Sequence, residues 1–482
     1  MMRIVALLLF SAQAALGAGI PAAEYQARRA RLAKEIGPNA MLIVFSAKPK
    51  ARDADIEYPF RQSDSMLYLA GIDQPDAALV VLPGETDYRE VAFVRDSNPR
   101  QEMWTGHIAT HDEITASSGI SKVESVGRFR GFVSTALQGG SWDQVFYPRA
   151  MSAFYSSVRS GQAEIWLVFD RRGREGEVTA EQAFAEEMRK RFPELRFRDA
   201  NPLLIAMREV KSAAEIAVMQ KAIDISLAGQ KGAMKRVKTA TNEREIQSLV
   251  ESTFREMGAC CPAYPSIVAS GSNATTLHYE DDNAPIDRQG LLLTDVGAEV
   301  EGYAADTTRT YPASGKFSPE QRAIYDAVYA VQEATMVAMR PGALWVDVDR
   351  TTVDAMGREL VKLGLASKND PKQVRMFLPY LVGHHIGLAV HDVWDRGRPL
   401  EPGMILTDEP GIYVRRADVL KNPTYLALTK EEQASVAKAL ERYDGIGVRI
   451  EDEILITPEG PRLLSGAAPR ASADIEQFMA TQ

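Results

Sequence analysis

Hydrophobic and polar positions along this chain change period several times. From Glu24 to Ile36 apolar residues recur at helical spacing, and Ala40-Met41-Leu42-Ile43-Val44-Phe45 is an unbroken apolar run of strand length. Glu57 to Ser63 is loop-like. Met66 to Leu69, Ala77 to Leu82, Glu90 to Val94 and Gln144 to Tyr147 read as further strands, the second closed by Pro83-Gly84, and Ala180 to Arg191 as a helix. This alternation predicts an α/β N-terminal domain ending near residue 200. It holds no dense cluster of ligand-type residues.

Helical spacing then prevails over Pro202 to Arg208, Ala213 to Val237 and Glu243 to Gly258. Ser212 followed by Glu215 predicts a capping box at the start of the second helix. A turn at Ser270-Gly271-Ser272 and a strand near Thr276 to Tyr279 follow. Helices are predicted over Ser318 to Arg340, opened by Ser318 and Pro319, and over Val346 to Leu363. Met376 to Ile456 reads as strand-rich, and the chain ends in an Ala/Ser-rich tail. The resulting division is 1–17 as a leader, 20–200, 205–465, and 466–482 as a tail.

Between the two helical regions lies a hairpin pattern, Leu291 to Thr310, with an apolar first strand and a Thr-rich alternating second one. A turn centred on Val300-Glu301 sets Asp295 directly opposite Asp306 on one face. Two carboxylates that close repel by about 4 kcal/mol at an effective dielectric near ~20. Such a pair is a solvated acidic hairpin, or it holds cations, or one acid is protonated.

Composition narrows the class. At 482 residues two domains are expected, and a net charge of -9 argues against nucleic acid or an anionic membrane as the main partner. Met1-Met2-Arg3, the aliphatic run from Ile4 to Phe10 and the small residues from Ala12 to Ala18 read as a secretory signal, so the mature protein is expected to be exported, periplasmic or secreted. The only cysteines, Cys260 and Cys261, are adjacent. They are too few for a zinc site of the all-cysteine type, adjacent thiols pair with strain, and packing is the expected role.

Four of the six histidines, His278, His384, His385 and His391, lie in the half that carries the paired aspartates. Glu409 ends an otherwise apolar strand, and Arg449, Glu451 and Glu453 share one face of an alternating strand, a pattern that ordinarily faces solvent. Asp295, Asp306, Glu409, Glu451 and one histidine form a hard, oxygen-rich donor set whose four negative charges two divalent cations would balance. The reaction class such a set serves is metal-assisted hydrolysis.

The order Asp295, Asp306, His384, Glu409, Glu451 resembles the pita-bread metallopeptidases, in particular the proline-directed branch of aminopeptidase P and prolidase. Glu57-Tyr58-Pro59-Phe60-Arg61-Gln62 and Trp104-x-Gly106 resemble the N-terminal domain of that branch. Asp306-Thr307-Thr308-Arg309-Thr310, Glu409-Pro410-Gly411-Ile412-Tyr413 and Gly447-Val448-Arg449-Ile450-Glu451-Asp452 resemble its catalytic signatures. The resemblance implies an α/β chain with a C-terminal pita-bread domain and two divalent cations, Mn foremost, with Zn or Co as alternatives. It implies that the five residues are metal ligands, with Glu409 also assisting the attacking water. His384 is favoured over His385 because it stands seven residues before His391. His391 and His278 would contact substrate, Arg449 and Tyr413 would orient ligands, and Arg396 and Trp104 would line the substrate pocket, Trp104 from a neighbouring subunit of a dimer or tetramer. Tyr380 stands where the branch carries a proton-shuttling histidine, and a phenol is a poor shuttle near neutral pH. The activity implied is removal of an N-terminal residue that precedes proline. The alternatives are an Xaa-Pro dipeptidase and a metal-binding protein of weak activity.

Overall fold

The computed structural model describes residues 19–140, 142, 151–169 and 178–481. The leader at 1–17 and the strand expected at Gln144 to Tyr147 lie outside the described residues. Among the described residues no helix is long and apolar enough to cross a membrane.

The N-terminal half is built on a mixed six-stranded sheet. Its centre is Ala40–Phe45, antiparallel to Ala78–Val81 and parallel to Glu164–Leu167. The first two of these runs are apolar throughout because the sheet is covered on both faces. Met66 to Leu69 is not a strand but part of the helix Asp64–Ala70. Ser63 caps it by accepting from the Met66 amide, and Gly71 closes it in the left-handed conformation, so end chemistry overrides the apolar run.

The C-terminal half repeats a plan of two packed helices followed by strands. Ala213–Arg236 packs on Glu243–Glu256, and Pro319–Ala338 on Trp345–Leu363. The Ser212–Glu215 capping box is present, with a second formed by Ser318 and Gln321. The expected strand at Thr276 to Tyr279 is absent; a 3-10 turn over Gly271–Thr275 carries the chain round instead. The region from Met376 to Ile456 mixes its strands with the helix Lys430–Tyr443, which has its own Thr429–Glu432 capping box. The Ala/Ser-rich tail is also ordered. Its helix Ser472–Ala480 buries Ile475 and Met479, and Glu476 pairs with Arg322 on the helix Pro319–Ala338.

The hairpin register differs from expectation by two. Leu291–Val296 pairs with Thr307–Pro312 so that Asp295 faces Thr308, and Val300 faces Tyr303. The turn residues are Glu301 and Gly302, at φ 52° and 81°. A two-residue hairpin turn of this hand needs positive φ at both positions, which β-branched Val300 resists and Gly302 accepts. Asp306 therefore sits diagonal to Asp295, in the gap where pairing lapses. There Gly297 is obligatory, since a Cβ on it would lie 1.8 Å from the Ala305 carbonyl oxygen.

Charged side chains clasp the two halves together. Arg208 bonds Asp64 at 3.0 Å and also reaches Asp392. Arg61 pairs with Glu299 at 3.0 Å and donates to the Leu388 carbonyl.

Candidate metal centre

Two buried glutamines set the backbone of the site. Gln230, on the helix Ala213–Arg236, donates to the carbonyls of Thr294 (3.0 Å) and Thr307 (2.9 Å). Gln332, on the helix Pro319–Ala338, donates to those of Asp408 and Ile450, both at 3.1 Å. Each carbonyl belongs to a residue adjacent to Asp295, Asp306, Glu409 or Glu451. Each long helix thus holds one pair of acid-bearing strands through one amide, and both glutamines are fully buried, so neither bond competes with water.

The acids converge. Tyr264 donates one hydroxyl between Asp295 Oδ1 and Asp306 Oδ1, each at 2.6 Å. Thr308 donates to Glu451 Oε2 at 2.8 Å. His384 Nε2 lies 3.5 Å from both Asp306 and Glu409. Donor atoms of Asp306, His384 and Glu451 all fall within 4.8 Å of one another. His385 points elsewhere, buried against Trp394, as alternation along the chain requires.

The charged face of Arg449, Glu451 and Glu453 does not meet solvent; all three are buried, since it forms the inner wall of the site. Arg449 donates to Asp295 Oδ2 (2.5 Å), to the Tyr413 hydroxyl (2.8 Å) and to Thr308 (3.1 Å). The Tyr380 hydroxyl joins this line, 2.8 Å from Tyr413 and 3.0 Å from the Glu409 carbonyl, to which it donates.

Electrostatics expose a shortage of positive charge. Burial, with Asp306 alongside, raises the Asp295 carboxyl above its ordinary range and Glu451 well above it. Burial and Asp306 push Glu409 up to about 7 despite His384. Of the four acids only Asp306 is lowered, by its contact with His384 against its own burial, and the same contact lifts His384 to about 9. Four carboxylates, three buried and that of Glu409 half-buried, thus share two cationic side chains, His384 and Arg449. An all-oxygen set with one imidazole and a deficit of this size fits divalent cations of the Mn, Co or Zn kind.

The remaining expected residues divide. The His391 ring lies 4.2 Å from that of His384, and His278 is close enough to act on the charge of His391. Arg396 is exposed and stacks over Trp394, without a bond to the acids. Trp104 is 80% exposed on the helix Pro99–Thr105, and among the described residues no bond or ring contact joins it to the centre. Tyr264, Gln230 and Gln332 were not legible as site residues, because none lies in a run of ligand-type residues. Asp408, beside Glu409, is fully buried with neither oxygen hydrogen-bonded, and burial and Asp452 hold its carboxyl well above the ordinary range.

Asp282, in the segment after His278, gives a separate pH signature. It is buried, its Oδ1 accepts from the Val268 amide at 2.8 Å, and its Oδ2 has no partner. Burial, with Glu243 and Glu251 nearby, pushes it up to about 7 against that amide. The folded state therefore keeps a proton that the unfolded chain releases near pH ~4. This contribution to stability is complete below pH ~4, falls as pH rises, and is gone above about 7. Urea midpoints of Asp282→Asn are expected to decline less steeply across that window than those of the native protein, in which Glu409 also titrates there.

Residues 217–458 match metallopeptidase family M24, and residues 25–146 match the aminopeptidase P N-terminal domain. The chain is 32% identical to a Xaa-Pro aminopeptidase of Haemophilus influenzae over 471 residues, covering 96% of this chain and 98% of that one. It is also 32% identical to the Xaa-Pro aminopeptidase of Escherichia coli, covering 95% and 97%. Among solved structures, a putative aminopeptidase P from Bacillus anthracis superposes with a TM-score of 0.81 at 27% identity, covering 95% of this chain and 98% of that one. Aminopeptidase PepP of Pseudomonas aeruginosa gives 0.79 at 30% identity, covering 96% and 98%.

Proposed function

This chain belongs to metallopeptidase family M24 and carries the aminopeptidase P N-terminal domain, and we propose that it hydrolyses the bond between an N-terminal residue and a following proline in peptides. The observation that carries the reading is the cluster of buried Asp295, Asp306 and Glu451 with half-buried His384 and Glu409, together with an N-terminal half of the same kind as in the Xaa-Pro aminopeptidases it resembles.

In this reading the five residues would hold two divalent cations, Mn foremost, whose four positive charges match the four carboxylates. Bound there, the cations would supply the Lewis acidity that acidifies water and polarises the scissile carbonyl. Glu409 takes the proton of the attacking water at its carboxylate and returns it to the departing proline nitrogen. Arg449 fixes Asp295, and Tyr413 fixes Arg449. His391 and His278 are read as contacts to the substrate or to the oxygen that gains charge. Arg396 is read as lining the substrate pocket.

Tyr380 acts by position. Burial, with Tyr413 and Glu409 beside it, pushes its phenol well above 10, so it keeps its proton and steadies the Glu409 backbone instead of relaying protons. Tyr380→Phe is expected to lower kcat about 3- to 10-fold, in line with one modest hydrogen bond, with KM and the pH profile unmoved.

Export and a dimer or tetramer belong to the same reading. The basic, aliphatic and small-residue segments at 1–17 support the first, tested by the N-terminal sequence of the mature protein. Met103 and Trp104, 75% and 80% exposed side by side, support a subunit contact that carries Trp104 to a neighbour's substrate.

The deciding experiment compares an Xaa-Pro-Yaa tripeptide with an Xaa-Pro dipeptide, before and after chelation and reloading with Mn. Metal-dependent release of the first residue from the tripeptide is expected. Cleavage of the dipeptide alone would make the protein a dipeptidase. Bound metal without cleavage of either would overturn the enzyme reading.

A further inference from the structure

The two cysteines stand apart from the metal centre and are not core packing. Cys260 is exposed and Cys261 half-buried, while Glu299 beside them is buried. Cys261 pairs with Glu299 across a short ladder, and the Cys260 amide donates to the Glu299 carbonyl at 3.1 Å. Cys260 Sγ lies 2.6 Å from Cys261 Sγ and 3.7 Å from Glu299 Oε1, and donor atoms of all three residues fall within 4.8 Å of one another; to share one ion at ~2.3 Å per sulfur, the sulfurs must part to about 3.8 Å by a side-chain rotation. The other carboxylate oxygen, Oε2, is held by Arg61 at 3.0 Å, so Oε1 is left turned toward the thiols.

We propose that Cys260, Cys261 and Glu299 form a second cation site, one for a soft, thiophilic divalent ion. Two sulfurs and one oxygen suit Cd or Zn and discriminate against Mn, the reverse of the oxygen-rich centre. Binding joins the ion to both sulfurs and to Oε1, and the two thiol protons leave to solvent. Two thiolates and a carboxylate carry three negative charges, which the divalent ion and the Arg61 guanidinium, itself shared with Asp64 at 2.9 Å, offset.

The cysteine count makes the test specific. With only two cysteines in the chain, thiolate-to-metal charge transfer can arise nowhere else. Reduced protein, loaded with Mn at the peptidase centre, is titrated with Cd while ultraviolet absorption and proton release are recorded. The expected result is a charge-transfer band saturating at one Cd per chain with two protons released. The band is absent in Cys260→Ser and in Cys261→Ser, both of which keep peptidase activity. Glu299→Gln is expected to weaken Cd binding about tenfold or more, the equivalent of losing one nearby charge. No band, an endpoint of one Cd per two chains, or wild-type affinity in Glu299→Gln would each overturn the proposal.

Discussion

Glu409→Gln lowers kcat toward an Xaa-Pro-Yaa tripeptide by about 10³-fold or more, within the range by which a positioned proton acceptor accelerates such reactions. The amide keeps the shape of the side chain and leaves the backbone bond from Tyr380 to the Glu409 carbonyl in place. It removes the one group assigned to receive the water proton, and with it one negative charge. That charge sits in a buried site where burial and Asp306 already push the Glu409 carboxyl up to about 7. Neutralising it relieves repulsion, so the metal-free variant is expected to unfold at the same temperature as the native protein or higher. Steady-state kinetics with metal content measured in parallel check the prediction. A variant that binds metal and retains the native rate would remove Glu409 from its role.

Arg309→Met destabilises the protein by about 3–5 kcal/mol, the cost of removing one partner from a buried ion pair. Arg309 is fully buried. It donates to Asp452 at 2.7 Å and to the carbonyls of Glu451 at 2.7 Å and Ser465 at 3.2 Å. Methionine fills the volume and leaves those acceptors with fewer partners. Asp452 keeps Arg470 at 2.8 Å and the Ser465 hydroxyl, so its charge is not wholly abandoned, and the lower end of the range applies if the network relaxes toward Arg470. Urea unfolding of chelated protein isolates this effect from metal binding. A loss below about 1 kcal/mol would mean that Arg470 alone suffices.

Individual residues mark where the sequence was sufficient and where it was not. Apolar runs such as Ala40–Phe45 and capping signals such as Ser212 with Glu215 are local, and both appear where expected. The five ligand-type residues were picked out by their order along the chain, which resembles that of a known family; among them only Glu409, at the end of an apolar strand, was hard to read as solvent-facing from its own surroundings. The hairpin register departs by two because it turns on backbone sterics at Gly302, not on the pattern of the strands. Met66 to Leu69 is too short for periodicity to tell strand from helix, and the cap at Ser63 decides it. The face of Arg449, Glu451 and Glu453 is buried although its pattern suits solvent, because alternation in a single strand carries no information on what lies opposite. Tyr264 and the paired amides of Gln230 and Gln332 depend on contacts from 31 to 118 residues away, which no local signal encodes.

The network around Asp452 has a temporal consequence. The metal-binding set begins at Asp295, yet the bonds that lock its inner wall come from Arg309, Ser465 and Arg470, and the Tyr325 hydroxyl donates to the Arg470 carbonyl at 2.6 Å. A nascent chain can complete its N-terminal sheet early, since that domain folds around its own strands. It cannot close the catalytic half until most of that half has been synthesised, because two of the closing partners, Ser465 and Arg470, emerge late. Catalytic competence is therefore withheld from a product of translation that stops short of Arg470, which carries the acids without the clamp that gathers them.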